Sequence, residues 1–356
     1  MTDLPADALA AHRGSDRRRI GRSADMTVDL SGTLFDDRHR CFASDVVAGL
    51  SEKEKKLPPK YFYDAAGSRL FQEICRTSEY YVTRSETALL RQISAELAAG
   101  IPDGAALIEF GSGDSVKTRL LLDAAPQLSA YVPIDISKDA LAGAAADLAR
   151  DYPWMTIAPV VEDFTGRFDL PASVEGCPKV GFFPGSTLGN FDPDDAVEFL
   201  SSARRILGRH ATIFVGVDLV KDAETLAAAY ADSEGATAQF NKNLLTRINR
   251  ELSGDFDADA FDHLALWNRE SGRVEMHLVS RRDQVVKAAG HSFAFKKGER
   301  LHTENSYKFT ADSFALLAAR SHWSVAGAWV SAKPEVALFR LVSAPGDRAE
   351  DMRARP

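Results

Sequence analysis

The middle of the chain alternates short apolar runs with amphipathic stretches. Five continuous apolar runs have the length and residue types of buried strands, at residues 105–110, 131–134, 156–161, 180–184 and 212–217. Stretches with helical spacing precede and separate them, at residues 83–99, 116–125, 139–152 and 194–207. Strands that alternate with helices at this spacing predict a doubly wound α/β fold around a parallel sheet.

The pattern changes on both sides of this region. A short helix is predicted from Asp45 to Lys56. After Asp222, residues 223–252 predict a helix, followed by antiparallel strands joined by short turns, at residues 262–267, 273–280, 284–286 and 292–295. A helix at 310–320 and strands at 323–330 and 336–341 then restore the α/β pattern.

These changes predict that an α+β insertion interrupts the α/β domain and joins an N-terminal segment in a second, lid-like domain. The tail at residues 1–40 is predicted to be disordered, and the terminus at 346–356 to be frayed. The second domain would comprise residues 41–84 and 221–310, and the α/β domain residues 85–220 and 311–345.

A glycine turn, Gly111-Ser112-Gly113, follows the first predicted α/β strand and opens a helix. Strand, turn and helix bring backbone N–H groups close to a nucleotide-like ligand. Val116 stands where a dinucleotide fingerprint has its third glycine, and the chain lacks the Gly-Lys-Ser/Thr of a P-loop here. Asp135, at the end of the next strand, suits two ribose hydroxyls. These features favour S-adenosylmethionine over NAD as the ligand.

An acidic–aromatic pair, Asp163-Phe164, follows the third predicted strand. An adenine could pack on Phe164 and donate its exocyclic amine to Asp163. Asp163 could equally cap a helix, and the sequence does not separate these two possibilities.

Aromatic residues are concentrated before the α/β region, at Tyr61, Phe62, Tyr63, Phe71, Tyr80 and Tyr81. Tyrosine combines apolar area with one hydroxyl, which suits a pocket for a small polar ligand. An ordinary amphipathic helix packed on the main domain would have the same composition, so both interpretations stay open.

Composition narrows the function further. Lys and Arg number 43 against 51 Asp and Glu, and the net charge of −8 argues against a nucleic-acid partner. No apolar run is long enough to predict a membrane span. The separated cysteines form no CxxC motif, and the histidines show no HxH or HxxxH pairing, so we expect no metal. The simplest expectation is a cytoplasmic protein.

Several segments together resemble the L-histidine Nα-methyltransferase family of ergothioneine biosynthesis. They include LPPKYFYDAAGSRLFQEICRTSEYYVTRSE, LIEFGSGDSVKTRLLLDA, FFPGSTLGNFDP, DLVKD, FNKNLLTRINRELSGDFD and TENSYKF. The resemblance covers about residues 45 to 342, in order. It implies a Rossmann-like methyltransferase sheet with an inserted α+β substrate-binding domain. It also implies that three methyl groups pass from S-adenosylmethionine to the α-amine of histidine, giving hercynine.

The resemblance assigns roles to the glycine turn and its neighbours. Gly111 and Lys117 would contact the methionine part of S-adenosylmethionine, and Gly113 would belong to the same cofactor-binding turn. Asp135 would hold the ribose. Asp163 and Phe164 would hold the adenine.

The resemblance also assigns a histidine site. Tyr80, Asn190 and Tyr230 would hold the substrate carboxylate and α-amine. Tyr63 would lie near the amine as the catalytic residue, and Phe71 would wall the methyl-transfer space. Glu304 and Ser306 would grip the imidazole, and Met276 would line the side-chain pocket. The expected partner is the small molecule histidine, bound by a monomer.

Three other functions compete with this hypothesis. Transfer to another amino acid, such as tryptophan, is opposed by Glu304, because an indole has no acceptor nitrogen and needs no paired polar grip. Tyr63, Tyr80 and Asn190 argue against a non-catalytic cofactor-binding subunit, because a protein that only binds the cofactor needs no polar substrate pocket beside it. A nucleotide-linked oxidoreductase is opposed by the missing third glycine.

Overall fold

The predicted parallel strands form the centre of one mixed sheet. The computed structural model describes residues 30–113, 115–208 and 210–344. The chain divides into two compact units, residues 1–40 and residues 41–356. Every site discussed below belongs to the second unit. In the first unit, the described residues form the start of helix α1. The rest of the predicted tail and the terminus from residue 345 lie outside the described residues.

The helices follow the predicted amphipathic stretches, with short 3-10 turns between some of them. Their bounds are α1 Leu30–Ser51, α2 Ala65–Ile74, α3 Val82–Ala99, α4 Val116–Ala124, α5 Lys138–Asp151, α6 Pro193–Leu207, α7 Ala223–Ala228, α8 Ala236–Leu252 and α9 Ala311–Arg320. Among these helices, none is long and apolar enough to cross a membrane.

Within the described residues, the strands belong to three sheets. Their bounds are β1 Ala106–Phe110, β2 Ala130–Asp135, β3 Thr156–Ile157, β4 Val160–Val161, β5 Lys179–Phe183, β6 Thr212–Asp218, β7 Phe261–Asn268, β8 Arg273–Ser280, β9 Gln284–Ala288, β10 His291–Phe295, β11 Arg300–Tyr307, β12 Trp323–Val330 and β13 Val336–Ser343. The large sheet has the order β12-β13-β6-β5-β1-β2-β3, with β4 also on β2. The small sheets pair β9 with β10 and order β11-β8-β7.

The large sheet is parallel except for its last two strands. Strands β6, β5, β1 and β2 run together, β13 runs antiparallel to β6, and β12 runs antiparallel to β13. The chain winds outward from β1 in one direction through β2 and in the other through β5. Ligands of such sheets bind outside the carboxyl ends of the strands near this reversal. The predicted fold class is confirmed.

Three predicted elements differ from the structure. The third strand is split into β3 and β4, because Pro159 between them has no N–H to donate to a ladder. The helix predicted over 223–252 is two helices, and α8 starts after Gly235, whose φ of 76° is left-handed. The helix predicted from Asp45 begins at Leu30 and ends at Ser51, so residues 30–40 of the predicted disordered tail are helical.

A separate apolar core joins the aromatic N-terminal segment to the insertion. It contains buried residues from 42–82 and from 226–301, together with Val336. Phe62 stacks on Phe240 of α8, with ring centroids 4.6 Å apart. Burying one such ring contributes about 1.5–3 kcal/mol. The core shows how these distant segments pack, while the boundaries of the predicted domains stay a prediction.

Candidate active site

The glycine turn after β1 gathers most of the residues expected to hold S-adenosylmethionine. Gly111 has a φ of 75°, and a Cβ added there would lie 3.3 Å from Cε1 of Phe164. The N–H of Gly113 points to Oδ2 of Asp135, at 3.4 Å. Asp135 ends β2, beside β1. The turn, the ribose-type acid and the aromatic ring therefore lie together at the carboxyl edge of the sheet.

Asp163 closes a local turn. Its Oδ1 accepts from the backbone N–H of Thr165 at 3.0 Å and from the Thr165 hydroxyl at 2.5 Å. Its Oδ2 lies 3.8 Å from the ammonium of Lys60. Within the described residues no helix begins here, so the carboxylate caps a turn rather than the helix considered from sequence. The expected contact with adenine stays a prediction.

Lys117 pairs with a carboxylate that the sequence analysis did not identify. Its ammonium lies 2.6 Å from Oε2 of Glu86, which is buried on α3. Both Glu86 oxygens also accept from the N–H of Gly185, at 2.9 and 2.8 Å. Glu86 lies one helical turn before Leu89 and Leu90, so its position on the apolar face of α3 was the available signal. Glu86 therefore fixes Lys117 between α3, α4 and the loop after β5.

Glu109, at the end of β1, lies under the turn. It is 1% exposed and accepts hydrogen bonds from the hydroxyls of Thr118 and Tyr131. Burial raises the pKa of Glu109 to about 8, against the lowering effects of those hydrogen bonds and of Lys117. Glu109 therefore supports the glycine turn from below, through its hydrogen bonds to α4 and β2.

Five aromatic rings, which we call the aromatic cluster, face one another beside this edge. They are Tyr63, Phe71, Tyr80, Tyr230 and Phe240. Ring centroids are 5.7 Å apart for Tyr63 and Phe71, 6.0 Å for Phe71 and Tyr80, and 6.2 Å for Tyr80 and Tyr230, each edge to face. The structure thus unites three residues predicted from the N-terminal segment with Tyr230 of the insertion.

Tyr63 packs edge to face on Phe71 and Phe240 and is influenced by acids of both halves of the site. Burial raises its pKa well above the ordinary value, Glu304 adds to this effect, and Asp135 contributes a smaller part. Burial likewise raises the pKa of Tyr80, with Tyr230 contributing. Both phenols are therefore neutral at physiological pH. Neither is poised as a phenolate base, so the geometry suits positioning.

Strand β11 carries the acid and the hydroxyl expected at the imidazole. Glu304 and Ser306 are both buried, and they share a face because they are two residues apart on a strand. Glu304 stands opposite Met276 of β8, after an irregularity in the pairing between His302 and Glu304. Burial raises the pKa of Glu304 to about 8, although Lys308 opposes the shift. The three predicted residues of the side-chain pocket therefore lie on neighbouring positions.

A buried polar network connects Ser306 to the sheet. The hydroxyls of Ser306 and Tyr230 are 2.7 Å apart, and the ammonium of Lys308 lies 2.9 Å from each. Lys308 also lies 2.9 Å from Oδ2 of Asp218, at the end of β6. Burial disfavours the charge of Lys308, but Asp218 and Tyr230 together hold its pKa above the ordinary value.

Asp218 has two further partners in this network, Tyr81 and Lys221. Oδ2 of Asp218 accepts from the Tyr81 hydroxyl at 2.8 Å, and Oδ1 of Asp218 lies 2.5 Å from the ammonium of Lys221. The pKa of Asp218 is lowered, because these two lysines outweigh its burial. Asp218, Lys221 and Lys308 lie within segments of the family resemblance, but their pairing was not inferred from the sequence.

Asn190 ends a 3-10 helix, Thr187–Asn190, that follows β5. A Cβ on Gly189 would lie 2.7 Å from the carbonyl oxygen of Tyr307, so this short helix packs directly on the backbone of β11. Asn190 is thereby held next to the strand that carries Ser306.

This arrangement identifies the class of the protein. A parallel sheet with a reversed edge, whose first turn brings the backbone close to a ligand, is the architecture of S-adenosylmethionine-dependent methyltransferases. The left-handed Gly111, its close approach to Phe164 and the acid at the end of β2 fit that methyl donor.

The chain belongs to the family of histidine-specific, S-adenosylmethionine-dependent methyltransferases, whose sequence model matches residues 42–343. It is 42% identical to a histidine N-alpha-methyltransferase of Mycolicibacterium smegmatis over 314 residues, covering 84% of this chain and 95% of that protein. It is 41% identical to the protein of the same name from Mycobacterium tuberculosis, covering 80% of this chain and 89% of that protein. A protein of Neurospora crassa called ergothioneine biosynthesis protein 1 is 29% identical, covering 77% of this chain and 31% of that protein.

Proposed function

We propose that this protein transfers methyl groups from S-adenosylmethionine to the α-amino group of L-histidine, three times in succession, giving hercynine for ergothioneine biosynthesis. Histidine is proposed as the substrate because Glu304 and Ser306 form a buried pair on one strand. Glu304 also helps to raise the pKa of Tyr63 in the aromatic cluster. The two relatives called histidine N-alpha-methyltransferase, each at least 41% identical, support the same reaction.

In this proposal the glycine turn holds the methyl donor. Backbone groups of Gly111 and Gly113 approach it, Asp135 holds the ribose, and Asp163 with Phe164 holds the adenine. Lys117, which is held in place by Glu86, contacts the methionine part of the donor near its carboxylate. S-adenosylmethionine supplies an activated methyl group on sulfur, and the protein supplies alignment.

Lys308 sets the direction of the hydrogen bonds around the imidazole. An ammonium has three N–H donors and no acceptor. Lys308 directs them to Asp218 and to the hydroxyls of Tyr230 and Ser306. Both hydroxyls therefore accept from Lys308. We assign the Tyr230 proton to its bond with Ser306, which leaves the Ser306 proton for the substrate.

This direction matches a neutral imidazole. Such a ring has one N–H donor and one acceptor nitrogen. Glu304 accepts from the donor, and Ser306 donates to the other nitrogen. An indole offers a donor but no acceptor, so tryptophan would leave the Ser306 proton unpaired. A site built to bond both nitrogens rejects an analogue that lacks one by a large factor.

The aromatic cluster and Asn190 position the amine. Tyr80, Asn190 and Tyr230 hold the carboxylate and amine of histidine, Tyr63 orients the amine, and Phe71 walls the transfer space. A peptide α-amine has a pKa of about 7.7–8.0, and the carboxylate of a free amino acid makes its amine more basic, so a neutral amine costs at least about 1 kcal/mol at neutral pH. Each transfer forms an N–C bond as the S–C bond breaks, and a proton leaves before the next attack. Alignment is the larger contribution, because near-attack geometry can supply about 7–11 kcal/mol.

The decisive experiment incubates the purified protein with S-adenosylmethionine and L-histidine, and follows the products by mass spectrometry. Mono-, di- and trimethylated histidine should appear in order, with hercynine as the end product. A parallel reaction with L-tryptophan should give little product. Methylation of tryptophan but not histidine would refute the proposed substrate, and no methylation of any amino acid would favour a non-catalytic binding subunit. The monomeric state and the cytoplasmic location stay predictions, and light scattering tests the first.

A further inference from the structure

A second group of chemically capable side chains lies behind the proposed histidine site. Along β8, Glu275 and His277 flank Met276, and successive side chains of a strand point to opposite faces. Met276 faces the same side as Glu304, so Glu275 and His277 face the other. His302 of β11 stands directly opposite His277. The three residues form one cluster on the reverse face of the two strands.

The cluster has the composition of a transition-metal site. Each residue offers one ligand atom, and these three atoms lie within 4.8 Å of one another. Two imidazoles and a carboxylate form a common ligand set for zinc and similar divalent ions. Zinc binds such nitrogen and oxygen atoms at about 2.0–2.2 Å.

Unsatisfied nitrogens are the second observation. Nδ1 of His277 and Nε2 of His302 are buried, and neither has a hydrogen-bond partner within the described part of the chain. The side chain of His277 is only 7% exposed. Buried polar atoms almost always have partners, so the orphaned Nε2 of His302 calls for a ligand. Nε2 of His277, which faces Glu275, is the ligand atom that this ring would offer, and its Nδ1 is left for water. The rings meet edge to face with centroids 4.7 Å apart.

Glu275 is already oriented by neighbouring groups. Its Oε1 accepts from Asn268 at 2.9 Å and from Arg273 at 2.8 Å, while Oε2 lies 3.1 Å from Nε2 of His277. Hydrogen bonds of this kind hold metal-ligating carboxylates and histidines in place. One oxygen is thus anchored, and the other faces the histidines.

The surrounding charges are mixed. Arg273 and Arg300 oppose a cation near the cluster, and Asp192, whose Oδ1 lies 3.6 Å from Arg273, offsets one of them. With Glu275 the cluster and these neighbours balance close to neutrality. Nitrogen and oxygen ligands, rather than net charge, therefore select the ion.

We propose that Glu275, His277 and His302 bind one divalent transition-metal ion of the zinc type on the reverse face of β8 and β11. Water completes the coordination. The ion joins the two strands directly behind Met276 and Glu304, so its role is to stiffen the wall of the histidine site. The expectation of no metal was based on spacing within short segments, and this cluster is assembled across two strands.

The test uses the full-length protein after chelator treatment and dialysis. Calorimetric titration with zinc chloride should show one ion per chain, and zinc should raise the melting temperature. Cobalt(II) should give the visible absorption bands of a nitrogen- and oxygen-ligated ion. His302→Ala should weaken zinc binding by at least about 100-fold, because even outer-shell changes cost about 10–100-fold. Glu275→Gln and His277→Ala should act likewise.

The matched control is His291→Ala, which removes an exposed histidine of β10 and should leave zinc affinity unchanged. Far-ultraviolet circular dichroism and S-adenosylmethionine binding check that each variant is folded. If the His277 variant does not fold, the site is still tested by His302→Ala, at the less buried of the two histidines, and by the cobalt spectrum of the unmodified protein. Equal zinc affinity in the His302 and His291 variants, or no stoichiometric binding, overturns the proposal and leaves water as the partner of the orphaned nitrogens. Neither result depends on methyl transfer.

Discussion

The ammonium of Lys308 lies 2.9 Å from the carboxylate of Asp218, and neither side chain is exposed to solvent. This ion pair joins the end of the antiparallel sheet to the carboxyl end of β6. A buried pair of this kind stabilises little in net terms, but loss of one partner removes part of the compensation of the other charge. The pair therefore makes the fold and the histidine site depend on the same residue.

Lys308→Met should lower the free energy of unfolding by about 1–3 kcal/mol, because buried acceptors lose their donor while Lys221 still compensates Asp218. It should also raise the KM for histidine, since Ser306 and Tyr230 lose their common donor. Urea denaturation and steady-state kinetics measure the two effects. Lys333→Met, at an exposed lysine, is the control and should change neither. A Lys308 variant with normal stability and KM would exclude the proposed positioning role.

Glu304→Ala should raise the KM for histidine by roughly 10- to 100-fold, because losing the acceptor leaves a buried imidazole N–H unsatisfied, at a cost of about 1–3 kcal/mol. Binding of S-adenosylmethionine should be nearly unchanged, since the residue lies on the substrate strand. Kinetics and calorimetry separate the two. Glu270→Ala, at the exposed turn between β7 and β8, should behave like the unmodified protein. An unchanged KM in the Glu304 variant would remove this residue from the site.

Gly111→Ala should weaken S-adenosylmethionine binding, because its Cβ would press on Phe164. The left-handed backbone also adds strain of about 1–2 kcal/mol. Gly104→Ala is a matched control, since Gly104 has a φ of 70° and no atom within 4 Å of the added Cβ. Both variants should lose stability in urea, but only the Gly111 variant should lose cofactor affinity by calorimetry. Equal cofactor affinities in the two variants would show that the contact between Gly111 and Phe164 does not shape the cofactor site.

Glu109→Gln should flatten the pH dependence of stability. The pKa of Glu109 is raised from 4.5 to about 8 in the folded protein. The folded state thus keeps a proton that the unfolded chain has lost, so this carboxyl's contribution to stability declines as pH rises from 4.5 to about 8. Urea unfolding across this range should show a smaller decline for the variant. Glu96→Gln, at an exposed site of α3, should keep the original slope. A variant with the original slope would assign the pH dependence to other groups.

The sheet could be predicted because its strands are continuous apolar runs and its ligand side follows from chain direction alone. Gly111, Asp135 and Phe164 were therefore found at the right edge. The split of the third strand was missed, although Pro159 offered a visible signal.

The buried ion pairs could not be predicted in the same way. Glu86 meets Lys117 and Asp218 meets Lys308 across long stretches of sequence. A charged residue in an amphipathic pattern looks the same whether it is solvated or paired inside the protein. Only the packing of α3 and β11 against the sheet decides between these states, and that packing depends on the whole chain.

The irregular pairing between His302 and Glu304 also determines which residues meet the substrate. Thr303 is the extra residue of β11, and its hydroxyl bonds the carbonyl oxygen of Met276 at 3.0 Å. If the pairing continued regularly from His302, with no residue left out, Thr303 would stand opposite Met276 and the following side chains would turn over to the other face. A slip of one position in the register would thus exchange the acid of the histidine site for a neutral residue, without altering any side chain chemically.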